Sequence, residues 1–296
     1  MENLILEFYR RERDQAAIRA MLRGNEQFDE MFQNNEKIFS DGIIVARYSG
    51  VTAGFLSFGA FKRATMTTIF VHEEYRRRGI GTALIAKAGQ LLSQNEAVER
   101  SMGTCMEGDR SSLQFLYKNG YYISYSSYMM ERKDEPLPES KISVRPYEDD
   151  DYVPCHQIWE LAFYHMHEKA GILPSYYYPP NDRERKRFID DRNNRFVMQI
   201  DGDIVAVGVI NGNELSHVSV RPDLQSRGYG RAFVSFLVNE MMRRGEENVK
   251  LWVVEGNSAK KLYESLGFKE KSLYHWLTKY YKPDTRLSRP PSMDIC

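Results

Sequence analysis

The chain has 296 residues, 42% hydrophobic and 12% aromatic, enough to bury one large core or two ordinary ones. Its 41 Lys and Arg balance 41 Asp and Glu, which argues against global electrostatic capture of nucleic acid or an anionic membrane, and no run nears the ~18 apolar residues of a membrane span. Cys105, Cys155 and Cys296 are far apart and odd in number, so they spell neither a disulfide framework nor a metal motif.

In chain order, the acidic Met1–Glu7 stretch runs into a strand near Leu4–Tyr9 with no leader pattern, so a cytoplasmic protein is expected. Helical periodicity follows, then a hairpin pattern, Ile43–Tyr48 with Thr52–Phe58 about Ser49-Gly50. A third strand enters Arg76-Arg77-Arg78-Gly79-Ile80-Gly81, and Ile80, Leu84, Ala88 and Leu91 then line one helix face. The stretch 133–141, charged and with two prolines, has linker composition. Beyond it the series restarts. It has a strand near Ile142–Pro146, a hairpin of Arg195–Ile200 with Ile204–Ile210 about Asp201-Gly202-Asp203, and the motif Gln225-Ser226-Arg227-Gly228-Tyr229-Gly230. A helix with Tyr229, Phe233, Phe236 and Met241 on one face comes next, followed by Lys250–Val254 and Ser258–Leu266. Thr68–Gly81 and His217–Gly230 align without a gap at an offset of 149. A mixed α/β fold is therefore expected twice. Residues 281–296, with three further prolines, read as an extended tail.

Both motifs fit [Q/R]-x-x-G-x-[G/A] between a strand and a helix. Glycine lets the backbone turn and approach a ligand without a Cβ, and the unpaired amides of the helix start favour an anion such as a pyrophosphate. Arg76, Arg78, Arg227 and Arg231 are placed to add charge. One such hexapeptide also fits a turn that only joins strand to helix. Neither copy has the third glycine of a dinucleotide fingerprint or the Lys-Ser/Thr of a P-loop.

At these residues the chain resembles the GNAT superfamily of N-acetyltransferases, once per half. The resemblance implies two tandem acyl-CoA N-acyltransferase domains, each a mixed, mostly antiparallel sheet flanked by helices, at 1–132 and 142–280. It implies acetyl-CoA as cosubstrate and no metal. Its pyrophosphate would lie on Gln225, Ser226, Arg227, Gly228, Tyr229, Gly230 and Arg231, and less securely on Arg76, Arg78, Gly79 and Gly81. The strand before the motif, Val218, Ser219 and Val220 (with Ile69, Phe70 and Val71 as weaker counterparts), would pair with the pantetheine arm.

The second half reads Asn257-Ser258-Ala259-Lys260-Lys261-Leu262-Tyr263-Glu264-Ser265-Leu266-Gly267-Phe268, similar to the family's N-x-x-A-x-x-L-Y-x-x-x-G-F with a small shift around the alanine. The resemblance puts Asn257 along the cofactor arm and makes Tyr263 proton donor to the departing thiolate. A phenol of pKa about 10 suits a thiol of pKa ~8.5, although a tyrosine here also suits helix packing. Four residues before Gly120, the first half has Leu116 instead, with Tyr117 one residue on; Arg110 stands at the asparagine position. Glu214 lies fourteen residues before Gly228, a spacing at which a glutamate acts as general base in some family members; Thr65 is its ungapped counterpart, and an exposed strand-edge charge is the plain alternative. Alternation places His217 on the opposite face from Glu214, and His275 is a weaker base. The first half is thus expected to be degenerate and the second catalytic, with a backbone amide near Val218 or Val220 facing the oxyanion.

In the acceptor region, Tyr176, Tyr177 and Tyr178 between prolines fit a pocket wall or a packed loop. Trp159 and Phe163 read as helix core, His165 and His167 lack metal-site partners, and 182–187 reads as a solvated helix face. The expected reaction is acetyl transfer to a small-molecule amine by direct attack, in a monomer or homodimer. The alternatives are a non-catalytic acyl-CoA-binding regulator and a protein-lysine acetyltransferase.

Overall fold

The computed structural model describes residues 3–282 except 62 and 174, and all their side chains but that of Gln27. Contacts divide it into two compact units, one holding the chain up to Ser124 and again from His275, the other holding Tyr125–Tyr274.

The first unit contains β1 (Leu4–Phe8), α1 (Arg11–Met21), α2 (Glu26–Phe39), β2 (Ile43–Tyr48), β3 (Val51–Phe58), β4 (Ala64–Val71), α3 (Ile80–Gln94), β5 (Arg100–Met106) and α4 (Arg110–Lys118). The strand β6 (Tyr122–Arg132) begins in this unit. The order is β1-β2-β3-β4-β5, antiparallel throughout except for the parallel β4–β5 pair. Ile43 and Val45 turn to one face, where Ile18, Leu22 and Phe32 meet them. Ile44 and Ala46 turn to the other, under Leu84, Ala88 and Leu92 of α3. Both faces are covered, so β2 reads as a continuous apolar run rather than an alternating one.

The second unit repeats the series as β7 (Ser143–Pro146), α5 (Tyr152–Lys169), α6 (Asp182–Asp190), β8 (Arg195–Ile200), β9 (Asp203–Asn211), β10 (Glu214–Val220), α7 (Tyr229–Arg243), β11 (Val249–Val254), α8 (Ala259–Ser265) and β12 (Lys269–Tyr280). Its order is β6-β11-β10-β9-β8-β7, with β10–β11 parallel and the other pairs antiparallel. Phe233, Leu237 and Met241 of α7 cover one face, while Cys155, Ile158 and Phe188 of α5 and α6 cover the other. The two-residue hairpin turns Ser49-Gly50 and Asp201-Gly202 have positive φ at both positions, 51° and 83°, then 50° and 89°, as a type I′ connection requires.

The units are not the two stretches 1–132 and 142–280. The repeats exchange their last strands. From Ser127 to Arg132, β6 pairs with β11 in the second unit, and the end of β12 lies beside β5 in the first. The sequence shows where a strand occurs but not which sheet edge it joins. The 133–141 stretch is also docked. Leu137 exchanges two 2.8 Å hydrogen bonds with the Asn239 side chain, and Arg132 donates to the Leu266 carbonyl. Of the expected tail, Tyr281 packs in the first core and its hydroxyl lies 2.8 Å from Ser101 Oγ; 283–296 lie outside the described residues. Among the described residues no helix is long and apolar enough to cross a membrane, and no cluster of His, Cys, Asp and Glu could hold a metal.

Candidate active site

The two glycine motifs fold alike. Gly79 and Gly228 are the N-caps of α3 and α7, with φ of 79° and 88°, a region that costs any residue bearing a Cβ. Two positions earlier, Arg77 and Ser226 are also left-handed, at 63° and 61°. Left-handed residues at alternate positions turn backbone N–H groups into one concavity, and the first turn of the helix adds its free amides. Each loop is braced on its strand, Arg76 Nε donating to the Val71 carbonyl at 3.0 Å and Gln225 Nε2 to the Val220 carbonyl at 3.1 Å.

The surroundings of the two loops differ. Arg227 is exposed, and Arg231 is exposed with a bond to Ser265 Oγ at 2.7 Å. Arg78, the counterpart of Arg227, donates to the Glu74 carbonyl and lies 5.2 Å over the Tyr48 ring. A Cβ on Gly81 would meet the Phe115 ring at 2.9 Å, whereas one on Gly230 would have 3.5 Å to Leu262. In the first unit this helix start is already packed by protein; in the second, Tyr229 and Gly230 begin α7 with more room.

A bulge in β10 separates the copies further. Ser216 faces Val209 and the next pair is Ser219 with Val207, so β10 carries one residue more than β9. His217, with φ 53°, sits in this bulge. On the other side, β10 pairs with β11 only at Glu214 and Leu215. Val218, Ser219 and Val220 therefore have a free backbone edge toward β11. β4 has no such bulge; it too leaves its parallel partner, after Met66, and there Thr67 Oγ1 donates to the Met102 carbonyl at 3.0 Å.

The extra residue changes two assignments. Arg195, Val209 and Ser216 stand in one row as Ile43, Ser57 and Thr68 do, so two residues earlier the first-unit counterpart of Glu214 is Met66, not Thr65. His217 is not on the opposite face from Glu214. Glu214, Ser216 and Ser219 oppose Asn211, Val209 and Val207, and Val207 belongs to the core under α5. The His217 ring packs edge-on to Trp159 of α5, at 4.8 Å and 90°. Simple alternation fails because a bulge resets it. Glu214 accepts from Trp252 Nε1 at 3.1 Å, a partner that sequence spacing could not reveal. Crowding by neighbouring groups, with Arg195 and Arg187 nearby, lowers the His217 pKa to about 4, although the residue is exposed at the surface. His217 is thus neutral at pH 7 and a weak base. His275 belongs to the first unit.

Tyr263 lies on α8, buried at 9% exposure and packed edge-on to Phe268. Its carbonyl accepts from the Phe268 amide, as the Leu116 carbonyl does from Tyr121. The same helix ending thus places Leu116 where the second unit has Tyr263, while Tyr117 is 46% exposed. The Tyr263 hydroxyl has no hydrogen-bond partner among the described residues, and burial raises its pKa to about 12. Asn257 starts α8, its Oδ1 accepting from the Ala259 amide at 2.9 Å. Asp109, beside Arg110, is the N-cap of α4 and accepts from the Ser112 amide, so both helices begin under a side-chain oxygen, though not at the same position.

The tyrosine loop is fastened to α5. His156, with no exposed surface, has Nδ1 2.6 Å from Glu184 Oε2 and Nε2 2.7 Å from the Tyr178 carbonyl. A carboxylate beside one ring nitrogen and a carbonyl on the other favour the imidazolium, although the Nδ1 approach to Glu184 is an ion-pair contact and not a hydrogen bond by angle. Burial opposes that charge, but Glu184 and the carbonyl outweigh it and raise the pKa. Glu160 accepts from the Tyr178 amide at 2.9 Å. Tyr177 packs inward and Tyr178 turns out.

The match to known proteins covers both repeats. Residues 4–121 fit the acetyltransferase (GNAT) family and residues 168–274 an acetyltransferase (GNAT) domain. The [ribosomal protein bS18]-alanine N-acetyltransferase of Escherichia coli K12 is 30% identical over 120 residues, 38% of this chain and 76% of that protein. An acetyltransferase of Pectobacterium atrosepticum is 28% identical over 132 residues, 43% and 87% of the respective chains. A GCN5-related N-acetyltransferase from Sphaerobacter thermophilus has the same fold across 97% of this chain and 98% of its own, with TM-score 0.72 and 19% identity. A tandem GNAT protein from the clavulanic acid pathway does so across 82% and 83%, with TM-score 0.56 and 17% identity. The chain belongs to the GNAT family, as a tandem two-domain member and an acetyltransferase.

Proposed function

We propose that the protein transfers acetyl from acetyl-CoA to the amine of a small molecule, with the chemistry in the second unit and the first unit structural. GNAT enzymes generally use acetyl-CoA. The α7 loop, from Gln225 to Arg231, takes the pyrophosphate, and the free edge of Val218, Ser219 and Val220 takes the pantetheine arm. The acceptor nitrogen attacks the thioester carbonyl while Glu214 takes up its proton, directly or through water. An N–H near the bulge, at Val218 or Val220, donates to the oxyanion. The C–S bond then breaks, and Tyr263 donates a hydrogen bond to the departing sulfur. With the phenol at about 12 and a thiol near ~8.5, complete proton transfer runs uphill. Tyr263 therefore acts by stabilising the thiolate, which takes its final proton from solvent.

The contrast between Tyr263 and Leu116 at one hydrogen-bonded position carries this reading. Thiol release from acetyl-CoA across a panel of amines tests it. Tyr263→Phe keeps the packing and should lower kcat about 10²-fold with the KM for acetyl-CoA little changed. Unaltered turnover would remove Tyr263 from the mechanism. A second reading, a protein or peptide amine as acceptor, is supported by the bS18-alanine acetyltransferases among the relatives. An alanine-initiated peptide in the panel decides between them.

A further inference from the structure

Below the β10 bulge lies a small cavity, walled mostly by apolar atoms, with Arg195 and Tyr147 among its lining residues. Arg195 opposes Val209, which opposes Ser216, so Arg195, Val209 and Ser216 form one row across the sheet on the α5 face. Tyr147, Cys155, Trp159, Phe188, Arg195 and His217 are among the residues that line the cavity, about 20 Å³, room for the two oxygens of a carboxylate whose carbon chain stays outside. The Arg195 guanidinium stacks 3.8 Å over the Phe188 ring, and its nearest carboxylate, Asp191, is 3.5 Å away. Arg195 Nε and the Tyr147 hydroxyl are both buried and have no hydrogen-bond partner among the described residues.

Two donors without hydrogen-bond partners belong to residues that line one cavity, one of them on a guanidinium whose ion pair with Asp191 leaves Nε unused, and they suit a group that accepts and carries negative charge. We infer that this cavity is a carboxylate-reading subsite, with Arg195 and Tyr147 selecting a reactant that bears an acid group near its reacting atom. The inference rests on the proposed reaction in this unit. Burial lowers the Arg195 pKa and raises that of Tyr147, as expected of polar groups held away from water with too little compensation. His217 at the mouth stays neutral and leaves the guanidinium as the charge that a carboxylate would meet. The acid group belongs either to the acceptor, as in an amino acid, or to the acyl donor, as in a dicarboxylic acyl-CoA.

Steady-state rates on the full chain separate the two sources. One arm pairs acetyl-CoA with amino acids and with the amines left when their carboxylate is removed. The other pairs a simple amine with succinyl-CoA and with acetyl-CoA. The acid-bearing reactant in one arm should be preferred in kcat/KM by at least about tenfold, the scale of a hydrogen bond to a charged group. Arg195→Gln should abolish the preference through that reactant's KM, and Tyr147→Phe should reduce it. Arg195→Lys keeps the charge, loses the Nε donor, and should also reduce it if Arg195→Gln fails to fold. Calorimetry with propionate needs no turnover: wild type should bind it and Arg195→Gln should not. If no amine is acetylated yet propionate binds in this manner, the reaction is wrong and the subsite stands. No acid preference in either arm together with no propionate binding would leave the cavity a water site and overturn the inference.

Discussion

Tyr263 and Leu116 show how far one side chain separates two copies of a fold. The backbone around each ends its helix with the same hydrogen bond, so the side chain, a phenol in one and an isobutyl group in the other, distinguishes them. That contrast is legible from the glycine four residues on, because the helix ending fixes the register. The His156 clamp is not legible, since nothing in spacing says that a histidine will meet acceptors at both nitrogens. It also has a pH signature. The His156 pKa is raised in the fold, so its stabilisation is full below the unfolded value of ~6.5 and is lost as pH rises through the higher folded value. Glu184, by contrast, has a lowered pKa despite burial, through its ion pair with His156. Its share is full above the unfolded ~4.3 and is lost as pH falls through the folded value. Glu184→Gln leaves a buried imidazolium unpaired and should cost about 3 kcal/mol near pH 6. The loss should shrink by pH 9, where His156 can release its proton. Thermal unfolding at both pH values reads this directly, and a loss that does not change with pH would show that His156 is neutral in the fold.

At the level of elements, the glycine loops were readable twice over, while the feature that distinguishes them was not. One added residue between Leu215 and Ser219 makes a bulge without altering composition, so an ungapped comparison sets Glu214 against Thr65 when the pairing sets it against Met66. Both strands leave their parallel partner near the same level, but only β10 bulges there, whereas the Thr67 side chain still bonds β4 to β5 in the first unit. Both loops are left-handed at the glycine, so the nest alone does not decide which unit binds acetyl-CoA. The strand beside it should. Aspartate tolerates a left-handed backbone better than most residues, yet puts a carboxylate where a pyrophosphate would lie. Gly228→Asp should therefore abolish acetyl-CoA binding, and Gly79→Asp should leave it within about twofold, with one site per chain in calorimetry. Two sites in the wild type, or loss of binding in Gly79→Asp alone, would assign the cosubstrate differently.

For the whole molecule, the sequence supports two copies of one fold, but exchange of the final strands between the units is not written in it. Strand propensity is local, whereas the choice between two equivalent sheet edges depends on the whole chain. The consequence is that 1–132 is not a self-sufficient unit. Leu277 is fully buried in the first core, and its loss alone, as Leu277→Ala, would cost about 3 kcal/mol. Tyr281 adds the bond to Ser101, and its amide donates to the Glu99 carbonyl at 2.7 Å. Without these residues β5 has an unpaired edge and the core above it is open, a combination that invites aggregation. A fragment of residues 1–132 should therefore show no cooperative thermal transition. The same fragment carrying residues 269–282 after a flexible Gly/Ser linker regains the missing strand at high effective concentration and should melt in a single step. If residues 1–132 unfold cooperatively by themselves, the final strand is not needed by the first unit. The exchange would then be a property of the joined chain and not a requirement of the fold.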